Sequence, residues 1–587
     1  MLPDDPLARV LIVDLAKREA RVERRPELFE KSLGGAGVAI RLLDEECPQG
    51  ADPLGPHNPI VLAVGPLTGL FPLASKTVAM FKSPLTGNLG ESHAGGRSAV
   101  ALRLAGYGAI VFRGVSESPV YVAIHGDKVH FRDASSLWGV RNSATVARVI
   151  RQREPGAGFR SILRIGRAGE RLVPYACVTT ETYRHFGRMG LGAVFGAKKL
   201  KALVVAGSHS LPVADPKAYR ETYKEIHEAA VSSPLMRKYH DLGTPENVLP
   251  LNMLKGLPTR NLQQASFEGA EQLSGERMAE DFLGRRLACA HCPVGCIHLA
   301  ALREPSEHEA FFYKTSTIGY DYELIYALGT MLGGSDARGL LRLIDAIEAV
   351  GLDAISTGVV LAWATEAMER GLVKPDDAAG VAFRWGEYPA YLRAVELIVE
   401  QPNDFYRALA RGVEHAAAKY GGADFALAFG GLEMPGYHTG PAAHLGFLTG
   451  ARHSHLDSAG YSIDQKAIKA ADLPTPQALA EALLREERWR QVLSSLVICF
   501  FARNIYQPPL VAKALASAGF AVSEDGLTRL GADILRAKHA FKRREGFRLG
   551  DLRIPRRILD TPTPLGPLSP DFLRQALAAF HAAAEDE

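Results

Sequence analysis

Three cysteines stand within eight residues in the segment CAHCPVGC (289–296), and a fourth, Cys499, closes the apolar run LSSLVIC (493–499) far along the chain. A C-x2-C-x3-C loop can curl around one small metal group, with Pro293 and Gly295 permitting the turn. Four-thiolate ligation of an iron–sulfur cluster then needs one more cysteine from elsewhere, and Cys499 is the sensible candidate. A chain that uses all four has to fold so that these distant segments meet. Three other readings of the same residues stand beside this one. A structural zinc site could use the cysteines with His291 or His298 as spare ligands. A CxxC redox disulfide would leave Cys296 and Cys499 without a role. Ordinary core cysteines would have to occur at an unusual local density. Cys47 and Cys177 are isolated and read as small buried hydrophobes.

With 587 residues, 47% hydrophobic and 23% charged, the chain has material for several ordinary globular cores and needs no disulfide staples. Its formal net charge of +3 gives no reason to expect nucleic acid. The basic run Arg148, Arg151, Arg153, Arg160, Arg164, Arg167, Arg171 is interleaved with Glu154 and Glu170 and reads as a solvated face rather than a polyanion site. The start MLPDDPLARVLIVDL lacks the features of a secretory signal. No stretch approaches the ~20 apolar residues of a membrane span. A soluble cytoplasmic protein is the expectation.

Short β-branched runs at 10–13, 60–64, 109–112, 120–123 and 203–205 read as strands. Glycine-rich turns lie between them, at 33–37, 83–87, 93–96 and 187–192, as in a domain whose loops approach something closely. After residue 215 the texture turns helical, with three- and four-residue apolar spacing over 216–240, 336–350, 358–372, 390–419, 476–499 and 525–542. The proline-rich stretch 561–570 reads as an extended strap. No internal repeat is evident. The fold class expected is α+β, a β-rich N-terminal domain followed by mainly helical domains.

The cysteine motif belongs to an ordered series: LGGAG (33–37), DPLGPHNP (52–59), GPLTG (65–69), KSPLTG (82–87), AGYGAI (105–110), GRMGLGAVFGAKKLKA (187–202), LPTRN (257–261), YELIYALG (322–329), GLDAISTG (351–358) and LVIC (496–499). In this order the segments resemble the aldehyde:ferredoxin oxidoreductases, from about residue 10 to about residue 505. The resemblance implies a two-sheet β domain over 1–210, a helical domain with the cysteine triplet over 211–420, and a helical domain with the fourth cysteine over 421–587. It implies a [4Fe-4S] cluster on Cys289, Cys292, Cys296 and Cys499, beside a tungsten or molybdenum atom held by two pterins. Pterin contacts map to Lys76, His93, Arg184, Gly187, Arg188 and Gly190. Glu348, Leu352 and Asp353 fall in one pterin-clasping segment, Ser494 and Ile498 in the other. Glycine loops and helix N-termini suit the pterin phosphates.

The family's catalytic glutamate maps to Glu323, which needs a raised pKa to shuttle protons near neutral pH. Its histidine maps to His455, with His453 as the alternative two residues away. The bland reading of Glu323 is a helix N-terminal carboxylate. The four histidines His438, His444, His453 and His455 could form a metal site, a polar pocket wall or a surface cluster.

Several positions depart from the family pattern. Lys76 stands where arginine is usual, keeping the charge and losing the planar fork. His93 stands where asparagine is common, beside a magnesium ion that bridges the pterin phosphates; magnesium is implied by the family but loses its usual neighbour here. Glu348 and Ser494 replace aspartates, the second with loss of charge, and HTGP (438–441) replaces a DPRG-like turn. Arg342 stands where some relatives have a carboxylate ligand for an iron between subunits, so no such iron is expected. The implied activity is oxidation of an aldehyde to a carboxylate, with ferredoxin or an iron–sulfur subunit as electron partner and a homodimer among the assemblies allowed. The competing readings are the same cofactor acting on an aromatic thioester, and a zinc-bound scaffold without the pterin group.

Overall fold

The structure, a computed structural model, describes residues 1–156, 159–306 and 311–585. Its N-terminal part is built from twelve strands: β1 (Arg9–Asp14), β2 (Glu19–Arg24), β3 (Ile60–Ala63), β4 (Thr77–Lys82), β5 (Leu89–Ala94), β6 (Ala109–Arg113), β7 (Val120–His125), β8 (Lys128–Asp133), β9 (Ser161–Ile165), β10 (Val178–Thr179), β11 (His185–Phe186) and β12 (Leu200–Ala206). They form two mixed six-stranded sheets, ordered β2-β1-β6-β3-β4-β5 and β8-β7-β12-β9-β10-β11. The second order is the first with six added to every strand. In each sheet a hairpin opens the half, its first strand pairs in parallel with the last, and the remaining pairs are antiparallel. The two halves therefore share one topology that no sequence repeat announces. The loops that follow β5 and β11 are its equivalent positions, and they carry Gly95 and Gly96 in one half, Gly187 and Gly190 in the other.

The apolar runs lie where periodicity places them: β3 and β4 are buried throughout, while the edge strands β2 and β8 are charged and largely exposed. The helix Gly35–Glu46 crosses β3 and β4 and packs on the helix Pro476–Ser495. Gly35 explains the first motif. Its φ is +36°, and a Cβ there would lie 2.2 Å from the carbonyl oxygen of Ser494. This contact joins the β domain to the segment that leads into Cys499.

Beyond Ala206 the described residues are mainly helical, interrupted by a short ribbon of Ala428–Phe429 with Leu432–Glu433 and by one larger sheet. A three-stranded antiparallel sheet, β13 (Leu283–Leu287), β14 (Ile297–Pro305) and β15 (Tyr313–Tyr320), carries the cysteine triplet in its β13–β14 connection. Helices Ala337–Val350, Ala354–Glu369 and Glu524–Arg544 match the apolar spacing. The 390–419 run is divided into Tyr388–Glu400, Asp404–Leu409 and Val413–Tyr420. The long helix Pro476–Ser495 stops before Cys499, where Val497 takes a φ of +54°. The proline-rich strap packs against the body through Thr561, whose hydroxyl donates to the Leu262 carbonyl while its own carbonyl meets His438 Nε2 at 2.9 Å. Among the described residues no helix is long and apolar enough to cross a membrane.

The contact at Gly35 gives a direct test. Gly35→Ala is expected to lose about 1–3 kcal/mol or more through forced overpacking, whereas Gly550→Ala, with nothing within 4 Å of its Cβ position, should be neutral. Equal melting temperatures for the two variants in calorimetry would contradict the role given to Gly35.

Candidate active site

Main-chain hydrogen bonds lace four segments together around the thiols. Leu73 N donates to His291 O at 3.1 Å, Cys499 N to Leu73 O at 2.8 Å, Lys76 N to Val497 O at 3.3 Å and Ala290 N to Gly96 O at 2.8 Å. All four cysteines are free and half-buried. Gly95 lets β5 approach Cys289: a Cβ on it would sit 2.9 Å from the sulfur. The four thiols feel one another electrostatically. Burial and the neighbouring thiols raise Cys292 well above its ordinary value, and burial, against the charge of Arg184, pushes Cys296 up to about 11. Burial opposes the charge of Arg184, but Cys296, Cys289 and Asp321 outweigh it and raise its pKa. Among the described residues no three His, Cys, Asp or Glu side chains are placed to hold a single metal ion.

Arg184 Nη1 lies 4.0 Å from Asp321 Oδ2, and Asp321 caps the helix Tyr322–Leu328 by accepting from Leu324 N. Glu323, in the first turn of that helix, is thereby fixed close to the thiol cluster. Its Oε2 accepts from Gly436 N at 3.3 Å, and its Oε1 lies 3.4 Å from His455 Nε2. Burial and the neighbouring Asp321 push Glu323 up to about 8, while burial and the charge of Arg188 bring His455 down to about 3. Near neutrality Glu323 thus holds its proton and His455 is uncharged. Glu323 Oε1 and His455 Nδ1 are buried without a hydrogen-bond partner, as is Nη1 of Arg188. Buried polar atoms left open in this way fit a group supplied from outside the chain. Tyr437 stands over the pair, its ring 5.1 Å from His455 and stacked at 4.4 Å on Tyr461.

Arg188 is anchored by Asp353 Oδ2 at 3.3 Å and the Glu433 carbonyl at 2.5 Å. Asp353 also caps the helix Ala354–Glu369 through Ile355 N and Ser356 N, and accepts from Ser356 Oγ. Leu352 is buried and bridges Ala176. Glu348 is partly exposed, 3.6 Å from His185 Nε2, and burial with Asp345 pushes it up to about 8. It lines a cavity of ≈ 270 Å³ with His185 and Arg164, whose Nη1 has no hydrogen-bond partner. Arg148 and Arg151 stand at its rim and are exposed, so this part of the basic run stays solvated. Ser494 and Ile498 are buried in the turn that leads to Cys499, where Ile498 N donates to Leu493 O. Gly187 leaves open space beside its backbone, whereas Gly190 is already required by its φ of +86° and by the Pro174 carbonyl.

The structure separates the histidines. His455 meets Glu323. His453 turns away, with Nδ1 2.9 Å from Phe447 O and Nε2 accepting from Lys542 Nζ at 2.9 Å. His438 and His444 bond each other at 2.9 Å. Sequence reasoning missed a cationic nest around Phe500. Lys76, Arg490 and Arg452 lie 5.5, 5.0 and 6.0 Å from the centre of this ring, and His93 also borders it. His93 Nε2 is 2.7 Å from Glu91 Oε1, and Glu91 pairs with the buried Lys538 at 2.5 Å. Burial alone would raise Glu91; Lys538 and Arg452 overcome it and hold the carboxylate ionised. Burial brings His93 down to about 4. No local pattern flags Arg452 or Lys538, which reach the nest only through the fold.

Two β sheets with matched glycine loops, a three-thiol loop with Cys499 brought beside it, and a buried carboxyl–imidazole pair make up the candidate site of an oxidoreductase. Residues 10–207 match the aldehyde ferredoxin oxidoreductase N-terminal domain and residues 221–584 match domains 2 and 3 of that family. The tungsten-containing aldehyde ferredoxin oxidoreductase of Thermococcus kodakarensis is 34% identical over 579 residues, covering 95% of this chain and 92% of the relative. That of Pyrococcus furiosus is 32% identical with the same coverage. A WOR-like subunit of an aliphatic sulfonate oxidoreductase from P. furiosus is 28% identical over 90% of this chain and 84% of its own. The active-site complex BamBC of benzoyl coenzyme A reductase with 1,5-dienoyl-CoA shares the fold, with a TM-score of 0.81 and 22% identity over 98% of this chain and 94% of that one. The chain belongs to the aldehyde ferredoxin oxidoreductase family and is an oxidoreductase.

The raised Glu323 has a consequence for stability. Its folded pKa of about 8 lies above the ordinary 4.5, so its favourable contribution is complete below 4.5 and is lost as pH rises through about 8. Glu323→Gln should therefore melt like wild type at pH 4 and increasingly above it towards pH 8. A constant difference across that range would contradict the assigned protonation.

Proposed function

We propose that this chain oxidises an aldehyde to its carboxylate at a tungsten or molybdenum centre held by two pterins, passing electrons through a [4Fe-4S] cluster to ferredoxin or another iron–sulfur partner. The observation that carries the reading is the uncharged Glu323–His455 pair, its open polar atoms buried beside Arg188 and linked through Asp321 and Arg184 to four facing thiols. The tungsten named in the relatives favours that metal. Cys289, Cys292, Cys296 and Cys499 would hold the cluster. Lys76, Arg184, Arg188, the Gly187 backbone, Glu348 and the 494–498 turn would hold the pterins, with Arg452 and Arg490 adding positive charge for their phosphates. Magnesium is left out of the proposal, because Glu91, the carboxylate beside His93, is already paired with Lys538.

A metal and cluster held by these residues would supply a two-electron acceptor, a Lewis acid for the carbonyl and a one-electron relay. The conversion of aldehyde and one water to the carboxylate releases two electrons and three protons, the third from ionisation of the acid product. Glu323, in its ionised form, takes the proton of the attacking water at Oε1, and its pKa near working pH lets it pass that proton on. His455, uncharged, offers one ring nitrogen to the carbonyl oxygen. Burial, helped by the charge of Arg188, keeps the imidazole neutral. Tyr437, Tyr461 and Tyr322 form an aromatic wall that shelters the site from water and suits an apolar substituent on the aldehyde.

Glu323→Gln is expected to lower turnover of a simple aldehyde by ~10²–10⁴ while tungsten, iron and the visible spectrum stay at wild-type levels. Retained activity in a fully loaded variant would remove Glu323 from the proposal. Cys499→Ala should lose cluster iron and the broad visible absorption; unchanged iron in that variant would contradict the ligand set.

A further inference from the structure

The cavity of ≈ 270 Å³ opens where β9 and β10 meet the helices Ser143–Arg153 and Ala337–Val350. Two charged side chains on its wall are pinned at one end and left open at the other. Arg164, only 7% exposed, donates from Nε to the Ser143 carbonyl at 3.0 Å, and its Nη1 has no hydrogen-bond partner. Glu181 accepts at Oε2 from Ile162 N at 2.9 Å and from Ser161 Oγ at 3.1 Å, while its Oε1 is buried without a partner. These anchors keep the two groups from closing on each other. The wall therefore carries one open donor and one open acceptor, a state that buried polar atoms rarely keep without a ligand.

The charges around the cavity narrow the kind of ligand. An anion would meet Arg164 but also Glu181 and Asp345, and a cation would meet those carboxylates but also Arg164. Glu348 lines the cavity too, and burial with Asp345 pushes it up to about 8, so near neutrality it adds a polar group without a charge. Tyr183 contributes a half-buried ring to the same wall. The complement of a donor and an acceptor standing together is a neutral edge that carries a carbonyl oxygen next to an N–H.

We infer that this cavity binds the lactam edge of a flat nitrogen heterocycle, a ring with C=O beside N–H as in a pterin or a guanine. Arg164 Nη1 donates to the ring carbonyl, and Glu181 Oε1 accepts from the neighbouring N–H. Two sources supply that chemistry. One is the bound pterin, in which case the inference rests on the proposed cofactor and makes Arg164 and Glu181 positioning residues for its ring. The other is a free purine. Glu348, already assigned to a pterin, lines the same cavity and favours the first source.

The test uses the full-length protein, purified anaerobically from a host that makes the pterin cofactor, with Arg164→Met, Glu181→Gln and the exposed rim variant Arg148→Ala as control. Pterin per chain is read from the fluorescence of the released, oxidised ring, and iron per chain by mass spectrometry. Binding of guanosine, and of adenosine, which lacks the lactam edge, is read by titration calorimetry. A bound pterin predicts that wild type binds neither nucleoside, and that Arg164→Met and Glu181→Gln lose most of their pterin while keeping wild-type iron. A free purine predicts wild-type pterin in every variant, with guanosine bound roughly ten-fold or more tightly than adenosine and that preference lost in Arg164→Met and Glu181→Gln. Arg148→Ala should match wild type in every assay. Glu181→Gln keeps an acceptor for Ile162 N, so it separates a lost contact from a lost fold even where Arg164→Met does not fold. Wild type free of pterin would contradict the proposed cofactor alone, and the guanosine preference would then decide this site. Full pterin in both wall variants with no preference for guanosine in wild type would overturn the inference.

Discussion

The backbone lacing around residues 73–76, 95–96, 289–292 and 497–499 is the constraint on which the rest depends. Each of those hydrogen bonds joins segments that are remote in sequence. Each is also one that a buried main chain must make somewhere. Satisfying them brings three cysteines from a β-hairpin connection and a fourth from the end of a long helix to one place. Gly35 and Gly95 make the approach possible by removing Cβ atoms that would collide with Ser494 O and Cys289 Sγ. Thus the geometry of the thiols is a property of the whole fold, and the segment carrying Cys499 is held to the β domain by it.

Electrostatics then sorts the buried groups into two neighbourhoods. Around Glu323 the carboxyl and imidazole are both held neutral, a state suited to donating and accepting protons at little cost. Around Phe500 Lys76, Arg452 and Arg490 surround one ring, and Glu91 stays ionised against Lys538. The first arrangement suits proton transfer; the second gathers positive charge around one ring. Burial is common to both. What differs is whether an opposite charge sits within reach of the buried group.

Much of this was legible in the sequence, and the exceptions have physical causes. β1, β3, β6, β7 and β12 are β-branched runs and declare themselves. β5, LGESHA, does not, because its Glu91 and His93 are polar residues buried against Lys538 and Phe500, partners hundreds of positions away. The three-stranded sheet β13–β15 escaped within a helical texture because its outer ends are charged and exposed, which blurs the alternation. The duplicated topology of the two sheets left no repeat in the residues, since topology needs only strands of similar length and turns in the right places. The choice between His453 and His455 could not be made from spacing; the turn at His453, with a φ of +54°, aims one ring at Lys542 and leaves the other for Glu323.

The central claim is that the four thiols and the cationic nest serve a cluster and a bis-pterin metal within one chain. Metal and iron content by mass spectrometry on anaerobically purified protein, expressed in a host that makes the pterin cofactor, tests it most directly. The account predicts about one tungsten or molybdenum and about four irons per chain. One zinc per chain, with neither heavy metal nor iron, would contradict it.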